Sequence, residues 1–398
     1  MGSSALEPMP VVLVSYTCDA QREIGPEVTT VARQPLELER SVLRQLSTLD
    51  RFLPVWIGLA MATGLGLGRL FPDLNDTLDR IKVDTTSLPI AIGLLGMMYP
   101  VLAKVRYNRL GEVTADRPLV ASSLLLNWLV GPALMFALAW LLLPDLPEFR
   151  AGLILVGLAR CIAMVLIWNA LACGDGEAAA VLVVLNSVFQ VAAYSFLGYF
   201  YLELLPGWLG LEQLSVDIGI WDIAKSVLIF LGIPLAAGFL TSVVGRRRKG
   251  DDWYETRFLP RLGPVALYSL LFTVVLLFAI QGDRITSQPF DVARIAVPLL
   301  AYFAIMWTAA FAWGRLQNLG YPKATTLAFT AAGNNFELAI AVAIATFGVE
   351  SGQALAGVVG PLVEVPVLVS LVYVSLWARR RFFETGEQAV AVYASEDG

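Results

Sequence analysis

Gly157-Leu-Ala-Arg160-Cys161-Ile-Ala-Met-Val-Leu-Ile-Trp-Asn169 sets an arginine, a thiol and an amide inside otherwise apolar sequence. A second stretch, Thr330-Ala-Ala-Gly333-Asn334-Asn335-Phe336-Glu337-Leu338, does the same with a glycine, two asparagines and a carboxylate. Each lies in an apolar block of about 20 residues, the length that crosses roughly 30 Å of hydrocarbon. Glycine and asparagine are poor interior helix residues, so the second stretch predicts an interrupted helix. The backbone groups freed by an interruption are tolerated in lipid only where they face protein or a polar cavity.

Working outward, comparable blocks run near Leu53–Leu70, Thr85–Val105, Leu119–Leu143, Ala151–Ala172, Ala178–Tyr201, Ile223–Val244, Leu262–Ile280, Ala293–Leu316, Thr325–Phe347 and Gln353–Trp377. Gly348, Glu350, Ser351 and Gly352 supply the turn that separates the last two. The composition agrees: 57% apolar and 15% charged, against about 45–50% and about 25% for a soluble domain. Histidine is absent, which excludes His-based triads, zinc sites and haem ligation. Cys18, Cys161 and Cys173 are too few for a disulfide framework or a four-ligand metal site. A net charge of −5 without a long basic run argues against a nucleic-acid partner.

Lys104, Arg106, Arg109 and Arg117, then Arg246, Arg247, Arg248 and Lys249, then Arg379, Arg380 and Arg381 fall on one side of a ten-span chain. By the positive-inside rule that side is cytoplasmic, as are both termini. Arg69, Arg80 and Lys82 run against the trend, diluted by Asp73, Asp76, Asp79 and Asp84. Ten spans with both ends inside divide into two sets of five, and an odd-numbered repeat must insert in opposite orientations. The expectation is an all-α membrane protein with ten transmembrane helices in two inverted five-helix repeats. Residues 46–220 form spans 1–5 and residues 221–378 form spans 6–10. A cytoplasmic extension covers 1–45 and a cytoplasmic tail 379–398. Folds of this kind bind substrate near the midplane, where broken helices point their ends at it. Spans 4 and 9, the fourth of each set, hold the two stretches quoted above.

A mid-membrane carboxylate by default marks an ion or proton path, so Glu337 is the candidate carrier of a coupling proton; the alternative is a structural ion pair with Arg160. Cys161 is either a small apolar filler or, with Arg160 beside it favouring thiolate, a ligand for a soft ion or metalloid. Glu364, between Pro361 and Pro366, is an open candidate, as are Asn186 and Gln190; with Asn127, these amides equally suit hydrogen bonding between helices. Cys173 and Cys18 read as incidental. Gly58, Gly64, Gly66 and Gly68 read as close helix packing, and Trp208, Trp253 and Tyr321 as interface anchors.

Four stretches resemble one family: Ala159-Arg-Cys-Ile-Ala-Met-Val-Leu-Ile-Trp-Asn169, Asn334-Asn-Phe-Glu-Leu-Ala-Ile-Ala-Val-Ala-Ile344, Gly360-Pro-Leu-Val-Glu-Val-Pro366 and Met97-Met-Tyr-Pro-Val-Leu-Ala-Lys-Val-Arg-Tyr107. The chain from Leu46 to Phe383 is similar to the arsenite efflux permeases of the bile-acid/arsenite/riboflavin transporter superfamily. The resemblance implies crossing, unwound helices at spans 4 and 9. It also implies export of arsenite, with antimonite handled by some members, usually in exchange for protons. It makes Cys161 and Glu337 the residues required for transport, with Arg160, Asn169, Asn334 and Asn335 beside them in the substrate site. Cys161 would be a transient As(III) ligand, no cofactor is called for, and the chain would sit in the plasma membrane. Three other readings compete. A sodium-coupled organic-anion symporter would use Asn334, Asn335, Glu337 and Gln190 as sodium ligands, leaving Cys161 without a task. An intramembrane enzyme would need Cys161 paired with Glu337 or Arg160, and a sensor would need an output domain that neither tail is long enough to supply.

Overall fold

The computed structural model describes residues 53–71, 74, 82–83, 86–105, 116–162, 164–211, 219–287 and 289–384. The extension with Cys18 lies outside them, as do most of the first loop's charges.

Six helices are continuous and long and apolar enough to cross a membrane: α3 (Arg117–Leu142), α6 (Gly176–Trp208), α7 (Ile220–Lys249), α8 (Asp251–Gly282), α9 (Pro289–Leu316) and α12 (Gly352–Phe383). Two shorter helices precede them, α1 (Leu53–Leu70) and α2 (Leu88–Ala103). The remaining two apolar blocks are broken: α4 (Pro147–Leu158) and α5 (Met164–Leu171) in one, α10 (Gly320–Ala332) and α11 (Phe336–Phe347) in the other. A two-residue antiparallel ladder, Lys82–Val83 against Thr86–Ser87, precedes α2.

Four of the continuous helices contain a five-residue π-helical turn that stops two residues short of a proline: Leu126–Val130 before Pro132, Phe200–Leu204 before Pro206, Leu228–Gly232 before Pro234 and Tyr254–Phe258 before Pro260. Proline removes one donor and crowds the carbonyl a turn back. The wider turn makes room for the ring, so the helix continues through it.

Helices α1, α2, α7 and α8 pack together and α3–α6 pack with α9–α12, while the first half of α7, Ile220–Val227, also packs on α6 and α11. Gly64 and Gly68 of α1 lie against the carbonyl oxygens of Val275 and Ala279 in α8, where a Cβ would collide. Gly58 and Gly66 face open space and do not share that packing role. All residues of α4 from Phe149 to Leu158 are buried, the mark of a helix surrounded by protein. In α7 and α8, by contrast, Phe239, Leu240, Tyr268 and Phe272 are exposed, as side chains facing lipid are. Tyr321 departs from the interface-anchor expectation. It is buried, and its hydroxyl donates to the Ala172 carbonyl at 2.7 Å, bolting the start of α10 to the end of α5.

Candidate functional site

The two breaks meet. Ala159–Cys161 and Gly333–Asn335 run antiparallel, with Arg160 opposite Asn334. Asn335 N–H donates to the Ala159 carbonyl at 3.0 Å, and Cys161 N–H to the Gly333 carbonyl at 3.2 Å. Each unwound segment thus satisfies the backbone of the other, which is what a buried interruption requires. The N–H groups of the facing pair turn outward and are met by side chains. Arg160 N–H donates to Gln190 Oε1 of α6 at 2.6 Å, and Asn334 N–H to Glu364 Oε1 of α12 at 3.3 Å. In both breaks the acceptor lies 30 residues after the donor.

Arg160 is fully buried, and among the described residues no carboxylate pairs with it. Its guanidinium donates to the Gly157 carbonyl, to the Ala331 carbonyl at 3.3 Å and to the Tyr302 hydroxyl at 2.7 Å. Gly157 and Ala331 stand in the last turns of α4 and α10. Two helix C-termini, each carrying roughly half a negative charge, therefore converge on one cation. This corrects two expectations from sequence. Arg160 neither forms an ion pair with Glu337 nor lends its charge to Cys161, because neighbours on an extended segment project to opposite sides.

Cys161 is the free cysteine among the described residues and is buried. Its sulfur lies beside the first N–H groups of α5, those of Met164 and Val165, and within electrostatic reach of Glu337 and Glu364. Gly333 packs directly on it, a Cβ there coming within 2.9 Å of Cys161 Cβ. Glu337 is half-buried in the first turn of α11, near Glu364. Asn335 caps that helix, its Oδ1 accepting from Leu338 N–H at 3.0 Å. Both polar atoms of the Asn334 side chain are buried without a protein partner, as are Asn335 Nδ2 and Gln190 Nε2. Buried amides are normally satisfied. These four atoms are free to bond a small polar solute.

The candidates do not all gather here. Cys161, Glu337, Glu364, Asn334, Asn335, Gln190 and the Arg160 backbone share the crossing. Asn169 sits at the far end of α5, where its Oδ1 accepts from the Thr326 hydroxyl at 2.8 Å and a Gly174 Cβ would overlap it. Asn186 accepts from Trp128 Nε1–H at 3.1 Å and ties α6 to α3. Asn127 bonds within its own helix, to Ser123, and not across helices. Cys173 takes a left-handed φ of 54° at the end of α5, away from the crossing. Tyr302 was not singled out from sequence; the available signal was a hydroxyl in the middle of an apolar block. No group of three or more His, Cys, Asp or Glu side chains that could hold a metal occurs among the described residues.

The site is thus polar and uncharged apart from ionisable side chains, with one sulfur and two carboxyls. Such a set can hydrogen-bond a small polar solute, and its sulfur can bind a soft one.

The chain is similar to several known proteins. A model described as the sodium/bile acid symporter family matches residues 91–288. The arsenical-resistance protein Acr3 of Corynebacterium glutamicum is 56% identical over 339 residues, 85% of this chain and 92% of that protein. The Acr3 arsenical-resistance protein of Alkaliphilus metalliredigens is 32% identical over 85% of this chain and 95% of its own length. An uncharacterized transporter of Synechocystis is 36% identical over 82% of this chain and 88% of its own.

Proposed function

We propose that this chain, which belongs to the Acr3 arsenical-resistance permease family, is a secondary transporter that exports arsenite in exchange for protons. The observation that carries the reading is a free buried thiol at the crossing of two interrupted helices, facing two carboxyls and a set of unpartnered amides. Arsenous acid is a small neutral hydroxide whose trivalent arsenic exchanges oxygen for sulfur. It enters a buried site without the cost of desolvating a charge. Cys161 is the transient ligand: its thiol displaces one hydroxyl of arsenous acid, which leaves with the thiol proton as water, and water reverses the exchange of this single As–S bond to let the cargo leave. Asn334, Asn335 and Gln190 hydrogen-bond its hydroxyls. Glu337 carries the coupling proton, taking it up outside and releasing it inside. Antimonite, with the same valence and softness, is accepted as well.

The architecture in this reading is ten spans in two inverted repeats, residues 46–220 and 221–378, rocking about the crossing. The equal 30-residue spacing from each break to its acceptor supports it. Both termini are cytoplasmic, and the membrane is the plasma membrane.

A second reading, sodium-coupled import of an organic anion, leaves Cys161 idle and fits less well: the sodium/bile acid symporter model matches residues 91–288, while the Acr3 relatives span 85% of the chain. Uptake of radiolabelled arsenite into everted vesicles separates the two. A proton gradient should drive uptake and sodium should not. Cys161→Ser should abolish uptake with the protein still folded, and Glu337→Gln should abolish the response to pH. Full uptake by Cys161→Ser, or an absolute sodium requirement, would overturn the proposal.

A further inference from the structure

The α7–α8 hairpin carries more positive charge than its own structure uses. The helices are joined at Gly250, whose φ of 87° is the left-handed conformation that lets the chain turn back at once. Arg246 builds the hairpin. It bridges Asp251 at 2.6 Å and Glu255 at 3.2 Å, and stacks on the Tyr254 ring at 4.7 Å. Tyr254 in turn donates to the Ala103 carbonyl of α2 at 2.9 Å. That charge is neutralised.

Five others are not. Arg247, Arg248, Lys249, Arg257 and Arg261 are all exposed, and none takes part in an ion pair or hydrogen bond among the described residues. Cations in the last turn of α7 complement its dipole, but that effect is confined to a helix's final turn. It does not account for Arg257 and Arg261, which lie past the first turn of α8. Those two are four residues apart on one helix face, a spacing at which like charges repel. Trp253 and Phe258 stack beside them, ring centroids 5.7 Å apart and both half-buried. Aromatic residues at a span end sit at headgroup depth.

We propose that this hairpin is a binding surface for anionic phospholipid, with the five cations gripping phosphodiester headgroups at the membrane face. Guanidinium groups fit phosphate oxygens in pairs, and an anion between Arg257 and Arg261 removes their repulsion. Basic clusters immediately beside a spanning helix attract acidic lipid in this way. The surface lies at the α7–α8 turn, at the opposite end of α7 from the Ile220–Val227 segment that packs on α6 and α11.

The full chain, purified in neutral detergent, is exposed to equal amounts of phosphatidylglycerol and phosphatidylcholine, and the lipids it retains are counted by native mass spectrometry. The expected result is a several-fold preference for phosphatidylglycerol that disappears when Arg247, Arg248, Lys249, Arg257 and Arg261 are all changed to Gln. A control with Arg69→Gln and Arg380→Gln, equally exposed but elsewhere, should keep the preference. Both variants are checked for an unchanged melting temperature. Should the five-fold variant not fold, the pair Arg257→Gln and Arg261→Gln should still halve the preference. Preference retained after neutralisation, lost equally in the control, or absent from the unaltered chain overturns the proposal.

Discussion

The two breaks use one backbone device with different side chains. In each, a three-residue extended segment pairs with the other, and a side chain 30 residues downstream takes up the outward N–H. Around Arg160 the acceptor is an amide, and the break contributes a cation and a thiol. Around Asn334 the acceptor is a carboxyl, and the break contributes two amides and Glu337. The two breaks share a backbone arrangement and divide the chemistry. One break anchors the crossing and carries the sulfur, and the other carries the carboxyls.

The largest effect expected from breaking this comparison is at Arg160. Arg160→Ala strands the Gly157 carbonyl and leaves the Ala331 carbonyl and the Tyr302 hydroxyl only their mutual 3.5 Å hydrogen bond; each unsatisfied buried group costs about 1–3 kcal/mol. The variant should fail to yield folded protein by size-exclusion chromatography, whereas Asn334→Ala, which removes a side chain without protein partners, should fold normally. Next come the two acceptors. Gln190→Leu and Glu364→Leu each leave one backbone N–H unmet and should lose stability by a similar amount, about 1–3 kcal/mol. Glu364→Gln keeps an acceptor and should melt within about 1 kcal/mol of the parent. Unequal losses for the two leucine variants would argue against equivalence of the breaks.

The smallest effect lies outside the spans, where Lys323 at the start of α10 bridges Asp116, the cap of α3, at 2.5 Å. The Lys323 hydrogen bond holds the Asp116 carboxyl below its ordinary range, and Asp116 holds the Lys323 ammonium above its own. The bridge therefore contributes at neutral pH. Its share is lost as pH falls through the lowered Asp116 titration, or rises through the raised Lys323 one. Both partners are partly exposed, so Asp116→Asn should cost about 1 kcal/mol or less at pH 7 and less at pH 3 than at pH 7, read as melting temperature. Asp145, held down to about 2 by Arg294, should keep its charge throughout that range and serve as the reference.

Much of the fold was legible because a bilayer demands long apolar runs. The α1 bounds follow the apolar run from Leu53 to Leu70, and Gly348 takes the expected turn with a φ of 91°. The break at Gly333 was legible from its residues. The one at Arg160 was marked only by a charge, since Leu158, Ala159 and Ile162 are ordinary helix formers. Asn127 and Asn186 look alike in sequence, yet one bonds within its helix and the other across to Trp128. Tyr321 was misjudged because proximity to a span end is a one-dimensional property, and its burial depends on α5 lying against it.

Sequence by itself determined that this chain spans a membrane, which residues are too polar for lipid, and which blocks hold them. Those conclusions follow from transfer energies, which depend on residue type and run length. Tertiary structure alone decided what each polar group faces. Arg160 could have met a carboxylate, but two helix ends and a tyrosine brought from three different segments meet it instead. Hydrogen bonds depend on direction and distance in space, and residues far apart in the chain acquire these only when it folds.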